Sequence, residues 1–581
     1  MSLWRELKRR NVFKVGAAYA IVAWLLVQII VAIKVPLGLP GWFDTAVIVL
    51  IATGFPVALL LAWAYEVTPE GIKLTQDVAL DDSITNKTGR KLNVIVIGLL
   101  VAAVGYFIVH DYFFGDDEDV LANSIAVLPL ENLGSDPAHD FFAPGIHDTI
   151  IGELAKVGGL NVISRTSVLR YADGTTPIPQ IARELGVETI MEGSVQFADG
   201  RVLVTVQLID PKTDAHLWTG DYNMEFKDIF LIEADIAKKI AKALEVELLP
   251  ADVARIDNPL TDSADAFEWY LKERSLPFWE EYPDTIPTHV GYLDEAIALD
   301  PDFAAAYAWR SMARGALPKN GAEAKADAEK AAALDPSLGL AHMALAWAES
   351  DERDFSAARR SYEDAYRASP KNTRILVEYA RFLARFGEQA RGERLAEQAV
   401  ELAPNGYAEY ILYGQVLALR GDLSGALAQF QRAAAIAPAF AGSFSQIAVT
   451  QLALGHKAAA RENIERAQAL WSAPPSWALA SLAYVYGRLG EQAKAEKFAQ
   501  ALDAMAAAGE QRVELEHELE TALGLGDRER VRRLLTEMVE TCPDACNVEP
   551  GYLRRFKINW LNDPMLTEPE FAELRSRMPV H

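Results

Sequence analysis

Five prolines, Pro301, Pro336, Pro370, Pro404 and Pro438, close successive alanine-rich segments at separations of 35, 34, 34 and 34 residues. A fixed period of this length marks stacked helical hairpins, each too small to bury its own apolar face and so obliged to bury it on its neighbour. Within Tyr407 to Pro438, bulky Tyr410, Tyr413, Leu417 and Phe430 mix with small Gly414, Ala426 and Ala433, and Gly421 stands at the expected turn. Small residues permit close helix crossings, and aromatic rings fill the groove of the next hairpin. The register extends from Leu345 and Tyr362 to Leu535 and Met538, giving seven units after a divergent first one that contains Pro277, Pro283 and Pro287.

This register resembles the tetratricopeptide repeat family. The resemblance implies an all-α solenoid over 266–550, closed by a cap at 551–581, that takes protein or peptide partners on a concave face lined by the first helices. By the family's geometry the inward positions are Trp347, Arg374, Arg381, Arg385, Gln415, Trp477, Tyr484 and Arg488. Arg374, Arg381 and Arg385 are spaced seven and four apart and share one helical face. Their planar forks suit carboxylates of a partner, and the competing reading is that they pair with Glu378 or Glu388 on an ordinary solvated surface.

A chain of 581 residues exceeds one core, so several domains are expected. The net charge of -25 argues against a nucleic-acid backbone as partner, because such binding needs clustered Lys and Arg. Three apolar runs, at about 15–33, 45–65 and 92–109, form an expected membrane module over 1–115. The amino terminus and the loop between the second and third runs carry nine basic residues, whereas none appears from His110 until Lys156. That asymmetry places the amino terminus in the cytoplasm of a bacterial inner membrane and everything after about 110 in the periplasm. In that oxidising compartment the two cysteines, Cys542 and Cys546, are expected to form a disulfide.

From Ser124 onward, short β-branched runs alternate with helical stretches, the pattern of an α/β domain, here 120–248, followed by a linker at 249–265. The segments SIAVLPLENLGSDPAHDFFAPGIHDTIIGELAKVGGLNVISR, ARELGVETIMEGSVQ and TVQLIDPKTDAHLWTGDYN resemble the TolB-like amino-terminal domain family. Members of that family often stand between a membrane segment and tetratricopeptide repeats, and many carry an adenylyl cyclase or winged helix ahead of the membrane. No such module is seen here. His147, Asp148, Asp210 and Asp221 are the titratable candidates, but no nucleophile elbow, phosphate loop or metal-ligand pair surrounds them. The expectation is therefore a multi-domain chain of transmembrane helices, α/β domain and all-α solenoid: a membrane-anchored scaffold, with no catalytic residues, cofactor or metal, and not an enzyme. The alternative is a receptor that relays partner binding to a separate cytoplasmic effector.

Overall fold

The computed structural model describes residues 121–276, 285–317, 320–508, 515–540, 563–569 and 571, with short stretches nearer the amino terminus. The chain divides into two compact units, Met1–Glu118 and Asp119–His581. In the first, β1 (Tyr65–Thr68) and β2 (Gly71–Leu74) form an antiparallel hairpin. The three expected membrane segments lie, but for isolated positions, outside the described residues, as do Cys542 and Cys546. Among the described residues no helix is long and apolar enough to cross a membrane.

The second unit opens with a sheet of β3 (Leu121–Val127), β4 (Glu131–Asn132), β5 (Asn161–Val162), β6 (Val187–Ala198), β7 (Arg201–Asp210) and β8 (Ala215–Glu225). Its order is β5-β3-β6-β7-β8, with β4 also on β6. The pairs of β3 with β5 and β6 are parallel, and β6-β7-β8 is an antiparallel meander. Alternation sets the faces: Val202, Val204, Val206 and Leu208 are buried while Arg201, Leu203 and Thr205 are exposed. Asp199 and Gly200, with φ of 53° and 73°, make the tight turn between β6 and β7. Helices α1 (Phe142–Ala155) and α4 (Ile229–Ala243) cover one face, and α2 (Arg165–Val168) and α3 (Ile178–Leu185) the other.

The segment expected as a polar linker is structured. It holds α5 (Pro250–Ile256), whose Asp252 and Ile256 are buried. The apolar core runs from the sheet through Ile256, Phe267 and Leu271 into the solenoid without a break. Leu249 and Leu260 carried too little signal to show this from sequence, because a seven-residue helix has barely two turns of periodicity.

Among the described residues, eight hairpins follow. They pair α6 (Ala264–Ser275) with α7 (Ile286–Leu299), α8 (Ala304–Gly315) with α9 (Gly321–Leu334), α10 (Gly339–Asp351) with α11 (Phe355–Ala368), and α12 (Thr373–Arg385) with α13 (Gln389–Leu402). The remainder are α14 (Tyr407–Arg420) with α15 (Leu423–Ile436), α16 (Ala441–Ala453) with α17 (Lys457–Leu470), α18 (Ser476–Arg488) with α19 (Gln492–Ala508), and α20 (Leu515–Leu525) with α21 (Arg528–Glu540). The periodic prolines end second helices: the residues before them, Asp300, Asp335, Ser369, Ala403 and Ala437, all leave helical geometry with ψ between 62° and 97°. Within hairpins, the turn falls on left-handed Gly387, Gly421, Gly455, Gly490 and Gly526, and on Arg353 at φ 65° in the hairpin before them.

Candidate functional site

The α/β layer docks on the turns between hairpins. Ser164 N–H donates to the Leu402 carbonyl at 2.9 Å, and Lys371 Nζ reaches the Leu160 carbonyl at 3.0 Å. Buried Asn405 is the centre of the contact. Its N–H donates to Ser167 Oγ at 3.1 Å, its side-chain amide to the Tyr171 hydroxyl at 3.2 Å, and its oxygen accepts from Arg170 at 3.3 Å. Arg255 of α5 bridges the two parts, donating to the carbonyls of Lys156 (3.1 Å) and Ala368 (3.4 Å).

Between docked layer and first helices lies a cavity of about 1330 Å³. Six of the eight sequence-chosen residues line it: Trp347, Arg374, Arg381, Arg385, Gln415 and Trp477. Arg374 lies over the Trp347 ring at 5.4 Å, and among the described residues the buried Trp347 indole N–H has no hydrogen-bond partner. Arg381 pairs with Glu378 at 2.5 Å, as the solvated-surface reading expected, but Glu388 turns to Arg359 and Arg391 instead of the stripe. Trp477 stands edge-on to Trp471 at 5.5 Å.

Tyr484 and Arg488 are placed differently. Both bond Asp563, and Tyr484 is only 4 % exposed. The carboxy-terminal segment around Pro564–Thr567 folds over the last hairpins, with Met565, Leu566 and Phe571 buried, so these two side chains hold the chain's own tail. A tail contact 75 residues away leaves no mark in the repeat register, which is why sequence placed them with the others.

The titratable candidates part company because neighbours on a helix face opposite ways. Burial pushes His147 down to about 4, so the neutral ring donates from Nε2 to the Val127 carbonyl at 2.9 Å. Asp148 points to the solenoid and meets Arg274 of α6 at 2.8 Å and Arg165 at 3.8 Å. Burial opposes its charge, but the two guanidinium groups outweigh burial and hold it below the usual carboxylate range. Arg274 stacks on Trp309 at 3.9 Å, and its neighbour Glu273 pairs with His289 at 2.9 Å. Asp210 caps its own turn, through Lys212 and Thr213.

Among the buried acids that sequence reading missed are Glu409 and Glu233. Glu409 lines the cavity, accepts from Thr373 Oγ1 at 2.9 Å through one oxygen, and is pushed up by burial. Glu233 of α4 bonds Thr149, and burial, reinforced by nearby Glu153, pushes it up to about 8. Between its ordinary value of 4.5 and 8 the folded state keeps a proton that the unfolded chain has lost. Stability therefore falls as pH rises through that window. Glu233→Gln is expected to flatten that decline and to add roughly 2 kcal/mol or more at pH 8, read from urea midpoints at pH 5 and 8.

No known family profile matches the chain. A curated relative, "Putative adenylate cyclase 3" of Rhizobium meliloti (strain 1021), is 33% identical over 247 residues, 41% of this chain and 42% of the relative. The chain thus spans under half the length of the relative it matches. That match overturns the expectation that the chain is not an enzyme, since the shared region belongs to a protein bearing an enzyme's name. Among solved structures, the chain is similar to YrrB, a tetratricopeptide protein with an unusual peptide-binding site (23% identity, 31% of this chain and 93% of that one, TM-score 0.24). It is also similar to the pilus biogenesis factor PilW (20%, 40% and 98%, 0.31) and to a tetratricopeptide repeat protein of Parabacteroides merdae (15%, 47% and 98%, 0.30). The carboxy-terminal region is a helical solenoid of hairpins that resembles a tetratricopeptide array.

Proposed function

We propose that this chain is a membrane-anchored periplasmic scaffold that binds a protein or peptide partner in the cavity between a TolB-like α/β domain and the tetratricopeptide array. The observation that carries the reading is the convergence of Trp347, Arg374, Arg381, Arg385, Gln415 and Trp477, drawn from four hairpins, on one cavity of about 1330 Å³. Aromatic faces, guanidinium groups and an unsatisfied indole N–H are the groups that grip an extended peptide carrying carboxylates. The membrane anchor rests on the apolar runs and their flanking charges, and the compartment on the same asymmetry.

A photo-crosslinking residue at Gln415 is expected to capture a partner that the same residue at Lys497, on an exposed second-helix position, does not. Arg381→Glu should weaken capture at least tenfold. Equal capture at both positions sinks the cavity as the site. Labelling of single cysteines at Ala198 but not Ser83 by a membrane-impermeant reagent, in a Cys542→Ser/Cys546→Ser background, tests the compartment.

A second reading is favoured by the cyclase-named relative: the chain signals, relaying partner binding to a cyclase-type effector. Partner-dependent change in cyclic AMP in cells carrying the chain supports it, and its absence across partner concentrations counts against it.

A further inference from the structure

Strand β8 has β7 on one side and, among the described residues, no strand on the other. Its eleven residues contain neither proline nor lysine, the common guards of a sheet edge. The one register shift against β7 falls at Leu217, and Trp218 to Glu225 run in continuous register. Side chains alternate along it. Trp218, Tyr222 and Met224 turn toward the helix layer and are half-buried, whereas Leu217, Thr219, Asp221 and Asn223 are exposed. Beside Asn223 on β7, Leu203 is exposed as well.

We infer that β8 pairs antiparallel with β8 of a second copy of this chain, about a two-fold axis at Gly220. An axis perpendicular to the sheet must pass through a residue, because opposite residues in an antiparallel pair share a face. Centring on Gly220 gives the seven residues of Leu217–Asn223 an opposite number, as far as the bulge at Leu217. Trp218 then faces Tyr222, Thr219 faces Asp221, and Leu217 faces Asn223, with no like charges opposed. Centring on Asp221 opposes two carboxylates. Centring on Thr219 sets Leu217 against Asp221 and pairs only the five residues of Leu217–Asp221. Gly220 itself suits the axis: a Cβ there would stand 2.6 Å from the Trp218 ring and 2.9 Å from that of Tyr222, so the two rings already close over it. The second copy brings the same two rings from the other direction, covering their exposed edges. The isologous contact continues one sheet across both copies.

The test uses the full chain in detergent, with Cys542 and Cys546 replaced by serine. Mixing a Thr219→Cys chain with an Asp221→Cys chain is expected to yield an oxidised dimer that neither forms alone. A Thr219→Cys chain mixed with Asn223→Cys, out of register, should yield little. Thr219→Glu sets like charges against Asp221 at an exposed position, and should raise the dimer dissociation constant at least tenfold in sedimentation equilibrium while the circular dichroism stays unchanged. A chain that is monomeric at all concentrations, a dimer indifferent to Thr219→Glu, or preferred 219–223 linkage overturns the inference. So does a monomer whose β8 is protected from exchange only by an added extended peptide.

Discussion

Arg274→Leu is expected to cost about 3–5 kcal/mol of unfolding free energy at pH 7, because it strips a buried carboxylate of its main partner. Arg274 sits on α6, and Asp148, 126 residues earlier, on α1, so their 2.8 Å bond joins sheet layer to solenoid. With Arg274 gone, Asp148 keeps only Arg165 at 3.8 Å and faces burial nearly alone. The acid limb of the stability profile should change as well. In the native chain Asp148, held below the usual carboxylate range, contributes stability that is present above its unfolded pKa and lost as pH falls below it. In the variant its pKa rises, so lowering the pH through the usual carboxylate range should recover stability. The double variant Asp148→Leu/Arg274→Leu should regain most of the loss, since an apolar pair replaces an ion pair at little net cost. Urea titrations of the four chains form a double-mutant cycle, and a coupling near zero sinks the argument.

Gly487→Val should be at least as damaging to the carboxy-terminal end of the array, costing about 3 kcal/mol or more. Helices α18 and α20 cross backbone to backbone there. An added Cβ at Gly487 would land on the Gly524 carbonyl, and one at Gly524 would stand 2.6 Å from the Ala483 carbonyl oxygen. Main-chain atoms cannot step aside as a flexible side chain does. The last hairpin and the Asp563 segment should therefore come away together, raising hydrogen exchange over 515–540 while the sheet stays protected. Gly291→Ala in α7 is the control: nothing lies within 4 Å of its added methyl. It should gain about 0.5–1 kcal/mol through helix propensity.

The repeat architecture was legible because its determinants are local and recur. A proline ends a helix by its own ring, a left-handed glycine turns the chain by its missing Cβ, and alanine opposite tyrosine sets a crossing distance. Gly414 and Phe430 were marked in the sequence as a tight and a bulky position, and an added Cβ at Gly414 would stand 2.5 Å from the Phe430 ring. Alternation in β7 likewise shows its buried face within ten residues. The cavity was legible in part, because six inward positions follow from that repeating geometry.

Contacts between segments that share no period could be settled only by the tertiary structure. Asn405 meets Ser167 across 238 residues, and Asp563 meets Tyr484 across 79. Neither partner's identity restricts where the other lies in sequence, because an asparagine at a turn or an aspartate in a tail satisfies local rules equally well in solvent. Only when the sheet layer docks on the turns, and the tail on the last hairpins, do burial and desolvation turn those groups toward one another, Asn405 to Ser167, Tyr171 and Arg170, and Asp563 to Tyr484 and Arg488. Sequence thus determined the helices, their stacking and the inward stripe through short-range sterics and periodic burial. The folded chain decided which part of that stripe stays in the cavity and which is taken by the tail, through long-range contacts whose energy exists only once the elements have met.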